Sequence, residues 1–170
     1  LPLLRELDDE GFGLNPKRVT LSTVGVVPAM ARLAEEELMP NLAISLHATT
    51  EAQRDRLVPI NRKYDIEELI DACRRMPLRR RGKITFEYVM LAGENDTPDD
   101  ARRLAKLLKG LKAKVNLLPL NEAAGIEFRR PSDVVVDRFA KILSDHDVFV
   151  TVRTSRGRDI RAACGQLATD

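Results

Sequence analysis

Apolar residues follow two patterns along this chain, and the two patterns alternate. Short apolar runs rich in β-branched residues predict five strands, at residues 19–24, 42–47, 84–90, 114–118 and 148–152. Between these runs the apolar residues return with helical spacing. They predict helices at residues 28–37, from 50 onward, from 65 onward, 97–109 and 132–145.

Polar residues mark where three of the helices begin. Thr50-x-x-Gln53 and Asp65-x-x-Glu68 both resemble capping boxes, and Thr97-Pro98 places a proline at the first helical position. In the helix that begins at Asp65, the apolar positions follow i, i+3, i+4, i+7 spacing and include Cys73. We therefore interpret Cys73 as a core residue of an amphipathic helix.

Strands that alternate with helices indicate right-handed βαβ units and a parallel sheet, hence an α/β fold. Two architectures compete, a doubly wound open sheet and a β/α barrel. Ser22-Thr23-Val24-Gly25 follows the first strand where a dinucleotide fold would have GxGxxG, and the chain contains no GxxxxGK[ST] loop. These absences argue against a nucleotide-binding open sheet, but they do not prove a barrel.

Polar side chains stand where predicted strands end. Ser22 and Thr23 end the first strand, Ser45 and His47 end the second, and Asn121 lies just beyond the fourth. In parallel α/β folds ligands bind at the carboxyl ends of the strands. We expect one polar rim suited to a ligand with amino, carboxylate or ribose groups. The alternative is that each is an ordinary polar residue at a strand end.

Length and composition fit one globular domain. The chain has 170 residues, of which 44% are hydrophobic and 32% charged. No stretch has the roughly 20 apolar residues of a membrane span, and no secretory signal is visible, so a cytoplasmic location without membrane partners is expected. The absence of an initiator methionine suggests an internal piece of a longer protein.

Charge is nearly balanced overall but clustered locally. The net charge is only +2. Basic residues gather in Arg79-Arg80-Arg81-Gly82-Lys83, in Arg129-Arg130, and at Arg153, Arg156, Arg158 and Arg161. Such clusters suit phosphate contacts with RNA, although basic runs are also common on solvated faces.

The two cysteines point to a reducing compartment and are too few for a cysteine metal site. Cys164 lies beside a glycine in a segment rich in arginine. A thiol among fixed positive charges is more easily deprotonated, and the thiolate is the nucleophile. Cys164 is therefore a candidate nucleophile, with a free cysteine of no special role as the alternative.

Several longer strings resemble one known family, the radical-SAM adenine C2-methyltransferases of ribosomal RNA (the RlmN group). They occur in the family's order and cover essentially the whole chain. They are residues 17–28, 42–48, 58–64, 86–91, 116–121 and 162–167, which read KRVTLSTVGVVP, LAISLHA, VPINRKY, FEYVML, NLLPLN and AACGQL.

The resemblance implies a partial β/α barrel of radical-SAM type, with residues 1–170 forming its C-terminal portion. It places S-adenosylmethionine contacts at Ser22, Ser45, Leu46, His47 and Asn121. It assigns Cys164 as the cysteine that is methylated. In the family, a radical derived from a second S-adenosylmethionine then activates that methyl group for addition to C2 of adenine in 23S rRNA or tRNA.

The chain departs from the family pattern at the [4Fe–4S] cluster. The family's CxxxCxxC motif and its resolving cysteine are absent, and Cys73 stands at an unmatched position. The resemblance therefore implies that the complete enzyme has the cluster, an N-terminal part of the barrel, and a reductant protein such as flavodoxin or ferredoxin. This chain alone is expected to hold no cluster and to be inactive.

Other functions remain open on the sequence alone. A non-catalytic RNA- or partner-binding half barrel would use the basic clusters alone. An unrelated barrel enzyme acting on a phosphorylated metabolite would need a phosphate site at a late helix N-terminus. Within the resembled family, two alternatives stay open: rRNA or tRNA as the substrate, and C2 or C8 as the methylated carbon of adenine.

Overall fold

The computed structural model describes residues 18–37, 39–80, 82–121 and 125–153. Within them, five parallel strands form one sheet in the order β1-β2-β3-β4-β5. The strands are β1 (Thr20–Thr23), β2 (Asn41–Ser45), β3 (Ile84–Met90), β4 (Ala113–Pro119) and β5 (Phe149–Val152).

The strand order decides between the two architectures left open by the sequence. Every strand pairs with the strands that precede and follow it along the chain. A doubly wound sheet reverses its order at a switch point, whereas a β/α barrel adds strands in sequence around its circumference. The described sheet is therefore an arc of a barrel, as predicted.

Helices connect the strands. They are α1 (Val27–Ala34), α2 (Glu51–Leu57), α3 (Ile66–Arg74), α4 (Pro98–Leu107) and α5 (Asp133–Asp145), with a 3₁₀ turn at Pro59–Arg62 between α2 and α3. Asp65 forms the predicted capping box with Glu68, and Thr97 caps α4 ahead of Pro98. The predicted elements are thus confirmed, with ends that shift by at most three residues.

One face of the sheet packs under the helices. In β3, alternate residues Ile84, Phe86, Tyr88 and Met90 are buried, whereas the residues between them are partly exposed. The buried side chains join the apolar faces of α3, α4 and α5 in one core. Since right-handed crossovers place successive helices on the same side, the opposite face lines the inside of the barrel.

A difference from the predicted elements that bears on the rim lies at the end of β2. The apolar pattern predicts a strand through residue 47, but the strand ends at Ser45. His47 has a φ of +58°, which a regular strand does not allow. The chain turns here because the next helix must begin after its cap at Thr50, and this turn exposes part of the imidazole at the rim.

No helix among the described residues is both long and apolar enough to cross a membrane.

Candidate functional site

The predicted polar rim exists at the carboxyl ends of β1, β2 and β4. Ser22 pairs in register with Ala43, so Ser22 and Ser45 lie on the same face of neighbouring strands. Ser22 is exposed and Ser45 is partly buried. Asn121 follows the end of β4, two strands away from β2, and is also partly exposed.

Leu46 differs from the other predicted rim residues. Its side chain is fully buried and belongs to the hydrophobic core beneath the helices. Its backbone N–H donates to the Glu87 carbonyl at 3.1 Å, and its own carbonyl accepts from Nε of Arg54 at 3.3 Å. Leu46 therefore anchors the segment between Ser45 and His47, while its neighbours present polar groups.

His47 is held in a defined protonation state. Its Nδ1 accepts a hydrogen bond from the Val89 backbone N–H at 3.1 Å, so the ring proton of the neutral imidazole lies on Nε2. Burial, followed by the charge of Arg54, lowers the pKa of His47 to about 4. At neutral pH the rim thus offers an uncharged N–H donor at this position.

A row of polar side chains crosses the inner face of the sheet below the rim. Ser45, Glu87, Asn116 and Thr151 are successive register partners on β2 to β5. Nδ2 of Asn116 donates to Oε2 of Glu87 at 3.0 Å, and Oγ1 of Thr151 donates to Oδ1 of Asn116 at 3.1 Å. The inner wall therefore carries linked hydroxyl, amide and carboxylate groups.

This row was missed as a candidate site from the sequence, although a signal existed. Strands buried on both faces of a parallel sheet read as continuous apolar runs. In β3, however, Thr85 and Glu87 alternate with large apolar residues, and in β4 Lys114 and Asn116 do the same. That alternation indicates a sheet with one polar face, as in an open barrel interior.

Asn95 is a residue of the rim that the sequence did not reveal. It is fully buried, and its Nδ2 donates to the carbonyls of His47 at 2.8 Å and Val89 at 2.7 Å. Its Oδ1 accepts from the Leu91 N–H at 2.8 Å. Asn95 therefore joins the end of β3 to the turn that carries His47.

Behind the rim, one buried carboxylate connects three elements. Oδ1 of Asp100 on α4 accepts from Oγ1 of Thr49 and from Nε2 of Gln53, both at 2.9 Å. Arg103 and Thr97 complete its surroundings. This network fixes α2 against α4 and so supports the loop that precedes α2.

The basic clusters do not all lie at this rim. Arg79, Arg80 and Lys83 are exposed just before β3, at the opposite end of the barrel from the polar rim. Arg129 lies in the loop after β4 and Arg153 directly after β5, both exposed at the rim end. The Arg129 carbonyl accepts from the Ala92 N–H at 2.9 Å, which ties its loop to the end of β3.

The thiols and the candidate metal ligands have clear positions where they are described. Cys73 is 1% exposed in the core, and burial raises its pKa to about 12, so it is neither a ligand nor a nucleophile. Residues 18–153, apart from their short gaps, contain no group of three His, Cys, Asp or Glu that could hold a metal. Cys164 lies outside the described residues.

Comparisons with known proteins agree with this geometry. No family model matches the chain. It is 53% identical over 161 residues to a dual-specificity RNA methyltransferase RlmN from Geobacter sulfurreducens, covering 95% of this chain and 44% of that protein. A protein of the same description from Acidiphilium cryptum is 55% identical over 162 residues, covering 95% of this chain and 41% of that protein. The chain thus spans less than half the length of these relatives.

Solved structures share the fold. A radical SAM methyltransferase from Sphaerobacter thermophilus superposes with a TM-score of 0.88 at 48% identity, covering 96% of this chain and 47% of that one. A domain of a pyruvate-formate lyase-activating enzyme from Bacteroides vulgatus has a TM-score of 0.61 at 13% identity, covering 79% of this chain and 80% of that one. The second likeness concerns the fold alone, and it supports the partial barrel.

Proposed function

Because the chain is homologous over 95% of its length to RNA methyltransferases of the RlmN family, we propose that it is the C-terminal part of such an enzyme. Residues 1–170 then form one portion of a radical-SAM partial barrel. The observation that carries this proposal is 53% identity along 161 residues, combined with a structure whose inner wall and rim are polar.

The rim fits S-adenosylmethionine. This molecule combines an amino group, a carboxylate, ribose hydroxyls and an adenine, and it needs donors and acceptors at short intervals. Ser22, Ser45 and Asn121 offer hydroxyl and amide groups, His47 offers a neutral Nε2–H, and Leu46 fixes the backbone between them. When bound, S-adenosylmethionine supplies an electrophilic methyl group.

An iron–sulfur cluster does not fit the described residues, which bring no three suitable ligands together. The only cysteines of the chain are Cys73, buried in the core, and Cys164. No step on this chain therefore runs through a cluster held by its own residues. A [4Fe–4S] cluster, the rest of the barrel and a reductant such as flavodoxin or ferredoxin belong to the proposed complete enzyme.

Cys164 is proposed as the carrier of the transferred carbon. In the complete enzyme its thiolate would accept the methyl group of the sulfonium, with an S–C bond forming at Cys164 as the sulfonium S–C bond breaks, and S-adenosylhomocysteine would leave. The thiol proton goes to solvent or a base before attack. C2 of adenine is electron-poor, so it cannot attack the methyl group of a sulfonium as a nucleophile. Delivery of the carbon from a cysteine does not require that attack.

The proposed substrate is an adenine in 23S rRNA, with tRNA as a second substrate. A base extruded from the stack can reach a rim at the end of a barrel. Arg129 and Arg153, exposed at that end, are suited to hold the RNA backbone, whereas Arg79 and Arg80 lie at the far end. A cytoplasmic location is part of this proposal, because the proposed RNA substrates are found there.

A chimera tests the enzymatic part of this proposal. Residues 1–170 would replace the matching segment of the Geobacter sulfurreducens relative, and adenine C2-methylation would be measured by mass spectrometry of nucleosides from ribosomal and transfer RNA. We expect the chimera to methylate RNA, and Cys164→Ala to reduce product by at least three orders of magnitude. Cys73→Ala is the matched control and should keep the activity. Full activity in Cys164→Ala would refute the role of Cys164.

Binding of S-adenosylmethionine tests the rim and separates it from a non-catalytic RNA-binding module. The chimera would be titrated with the cofactor by calorimetry. Ser45→Ala should weaken binding about tenfold, the equivalent of ~1.4 kcal/mol for one good hydrogen bond. Ser144→Ala, an exposed position on α5, should leave it unchanged. A chimera that binds RNA but no S-adenosylmethionine would favour the non-catalytic module.

A further inference from the structure

Arg54 is the largest fully buried side chain with a formal charge among the described residues, with an exposed fraction of 0%. It lies on α2, beside the rim. Arginine is almost never fully buried unless it is paired. Yet within the described part of the chain its guanidinium makes no direct ion pair with a carboxylate. The burial of this charged side chain therefore needs another explanation.

The guanidinium donates to acceptors on three separate segments. Nη2 donates to the Val24 carbonyl at 2.7 Å, Nε to the Leu46 carbonyl at 3.3 Å, and Nη1 to Oδ1 of Asn61 at 2.9 Å. Val24 directly follows β1, and Leu46 directly follows β2. One planar side chain thus joins the ends of two neighbouring strands, which a lysine with its single ammonium could not match.

Two carboxylates balance the charge of Arg54 through one intervening side chain, that of Asn61. Nδ2 of Asn61 donates to Oε2 of Glu51 and to Oδ1 of Asp55, both at 2.7 Å. Burial lowers the pKa of Arg54, and the charges of Glu51 and Asp55 oppose that effect. The carboxylates therefore stabilise the cation through Asn61, which leaves the other guanidinium nitrogens for the two carbonyls.

Arg54 acts where the backbone ladder stops. The pairing of β1 with β2 ends at Thr23 and Ile44. Past that point, the segment after β2 is tied toward β3 by the Leu46 N–H, by Val89 and by Asn95. Toward β1, Arg54 supplies the connection in the described residues. Among the described residues, it is therefore a side chain that links the segments following β1 and β2 by hydrogen bonds.

We propose that Arg54 is a positioning residue that fixes the gap between the ends of β1 and β2, and thereby the fit of S-adenosylmethionine between Ser22 and the Ser45–His47 segment. The inference rests on the proposed function, because the cofactor is what fills the gap. Arg54 does not touch the cofactor and acts through the two carbonyls that it holds.

The first test compares cofactor affinity in Arg54 variants of the chimera. Arg54→Lys keeps the charge but can reach only one of the carbonyls, so we expect binding of S-adenosylmethionine to weaken at least tenfold. Arg54→Met should weaken it further. Arg74→Met is the matched control, since Arg74 is exposed on α3 and pairs with Asp71 alone, and it should change affinity less than twofold.

The second test measures geometry without the cofactor, using amide N–H residual dipolar couplings. In the wild type, the couplings of Val24 and Gly25 should fit the same rigid frame as those of β3 and β4. In Arg54→Lys the couplings at Val24 and Gly25 should shrink, while those of Ser45 to His47, still tied to β3, should stay. A merely stabilising residue would lower the unfolding midpoint and leave these couplings intact.

The outcomes separate this inference from the proposed function. A folded Arg54→Lys with unchanged couplings and unchanged cofactor affinity overturns the positioning role. A wild-type chimera that binds no S-adenosylmethionine overturns the proposed function, and the couplings still decide the role of Arg54. If Arg54→Lys fails to fold, Asn61→Ala replaces it, because this change removes one acceptor of the same guanidinium. Asn61→Ala should lower both the cofactor affinity and the couplings at Val24 and Gly25. If it lowers neither, the inference is wrong.

Discussion

At the scale of single residues, the rim depends on positions that leave little room for other side chains. Gly25 follows the end of β1 with a φ of +97°, and a Cβ at this position would stand 2.8 Å from Cδ1 of Leu69. Leu69 is fully buried on α3 and cannot easily move aside. Gly25 is thus required by its backbone conformation and by the close approach of the helix.

Gly25→Ala should destabilise the chain by about 3 kcal/mol, the sum of a strained left-handed residue and an overpacked core contact. Gly110→Ala is the control, because Gly110 has a φ of +81° and a Cβ there would meet nothing within 4 Å, so it should cost only about 1 kcal/mol. Urea unfolding of both variants measures the difference. Equal costs would show that Leu69 gives way.

Asp100 should make stability depend on pH in the acid range. Burial acts to raise the pKa of Asp100, but hydrogen bonds from Thr97, Gln53, Arg103 and Thr49 outweigh it and lower the pKa below 3.8. A folded-state pKa below the unfolded one stabilises the fold above the unfolded value. That stabilisation is lost as pH falls from about 4 through the folded pKa.

Urea unfolding of Asp100→Asn at pH 7 and pH 3 checks this sign. The variant should be clearly less stable than the wild type at pH 7, and the difference should shrink at pH 3, where the Asp100 carboxylate of the unfolded chain takes up a proton. Asp99→Asn, at a position 73% exposed, should match the wild type at both pH values. A difference for Asp100→Asn that is independent of pH would contradict the assigned charge state.

At the scale of elements, two similar motifs have different roles. Asp65 and Glu68 form the reciprocal capping box that their spacing predicts. Thr50 accepts from the Gln53 N–H, yet the Gln53 side chain does not return to Thr50. Instead, Oε1 of Gln53 accepts from the Thr49 N–H at 3.1 Å, and Nε2 of Gln53 donates to the Glu94 carbonyl at 2.9 Å. Gln53 thus connects helices rather than closing its own.

Gln53→Ala should therefore cost more than a helix cap normally contributes. We expect about 2 kcal/mol, because the substitution leaves the Glu94 carbonyl and the buried Asp100 carboxylate each short of a donor. Glu68→Ala, which removes the exposed partner of the Asp65 box, should cost about 0.5 kcal/mol. Chemical denaturation of the two variants compares them, and similar costs would show that both motifs act only locally.

At the scale of the whole molecule, the described sheet is an arc with two open edges. Among the described residues, β1 and β5 each pair on one side only. On β5, Phe149 is 55% exposed and Val152 is 42% exposed. A strand with free backbone groups and exposed apolar side chains is a template for pairing with another chain. In a complete barrel these edges would meet further strands.

Residues 1–170 should consequently self-associate as their concentration rises, which sedimentation equilibrium would measure. Val152→Lys should weaken the association at least tenfold, because a charge on an edge strand opposes pairing. Val134→Lys is the control, since Val134 is 77% exposed on α5, away from the edge. A chain that stays monomeric throughout, or an equal effect of both lysines, would argue against association through β5.

Much of this molecule was decided by local sequence. The alternation of strand and helix patterns, the Asp65 cap, the buried face that holds Cys73, and the collection of Ser22, Ser45 and His47 at one rim follow from spacing that acts over a few residues. The longer strings that resemble a methyltransferase family added the cofactor, the role of Cys164 and the missing cluster. The comparisons confirm that family resemblance, while the individual site residues remain proposals.

Tertiary structure decided what depends on groups far apart in the chain. Arg54 reads as a surface residue of a short helix, and only the packed fold shows it buried between carbonyls 30 residues before it and 8 residues before it. Asn95 was equally hidden, and the hydrogen bonds that link the row from Asn116 to Glu87 and Thr151 appeared only in the assembled sheet. The physical reason is that periodicity encodes which face of an element is buried, whereas a buried polar group depends on partners that only the assembled barrel brings within hydrogen-bond distance.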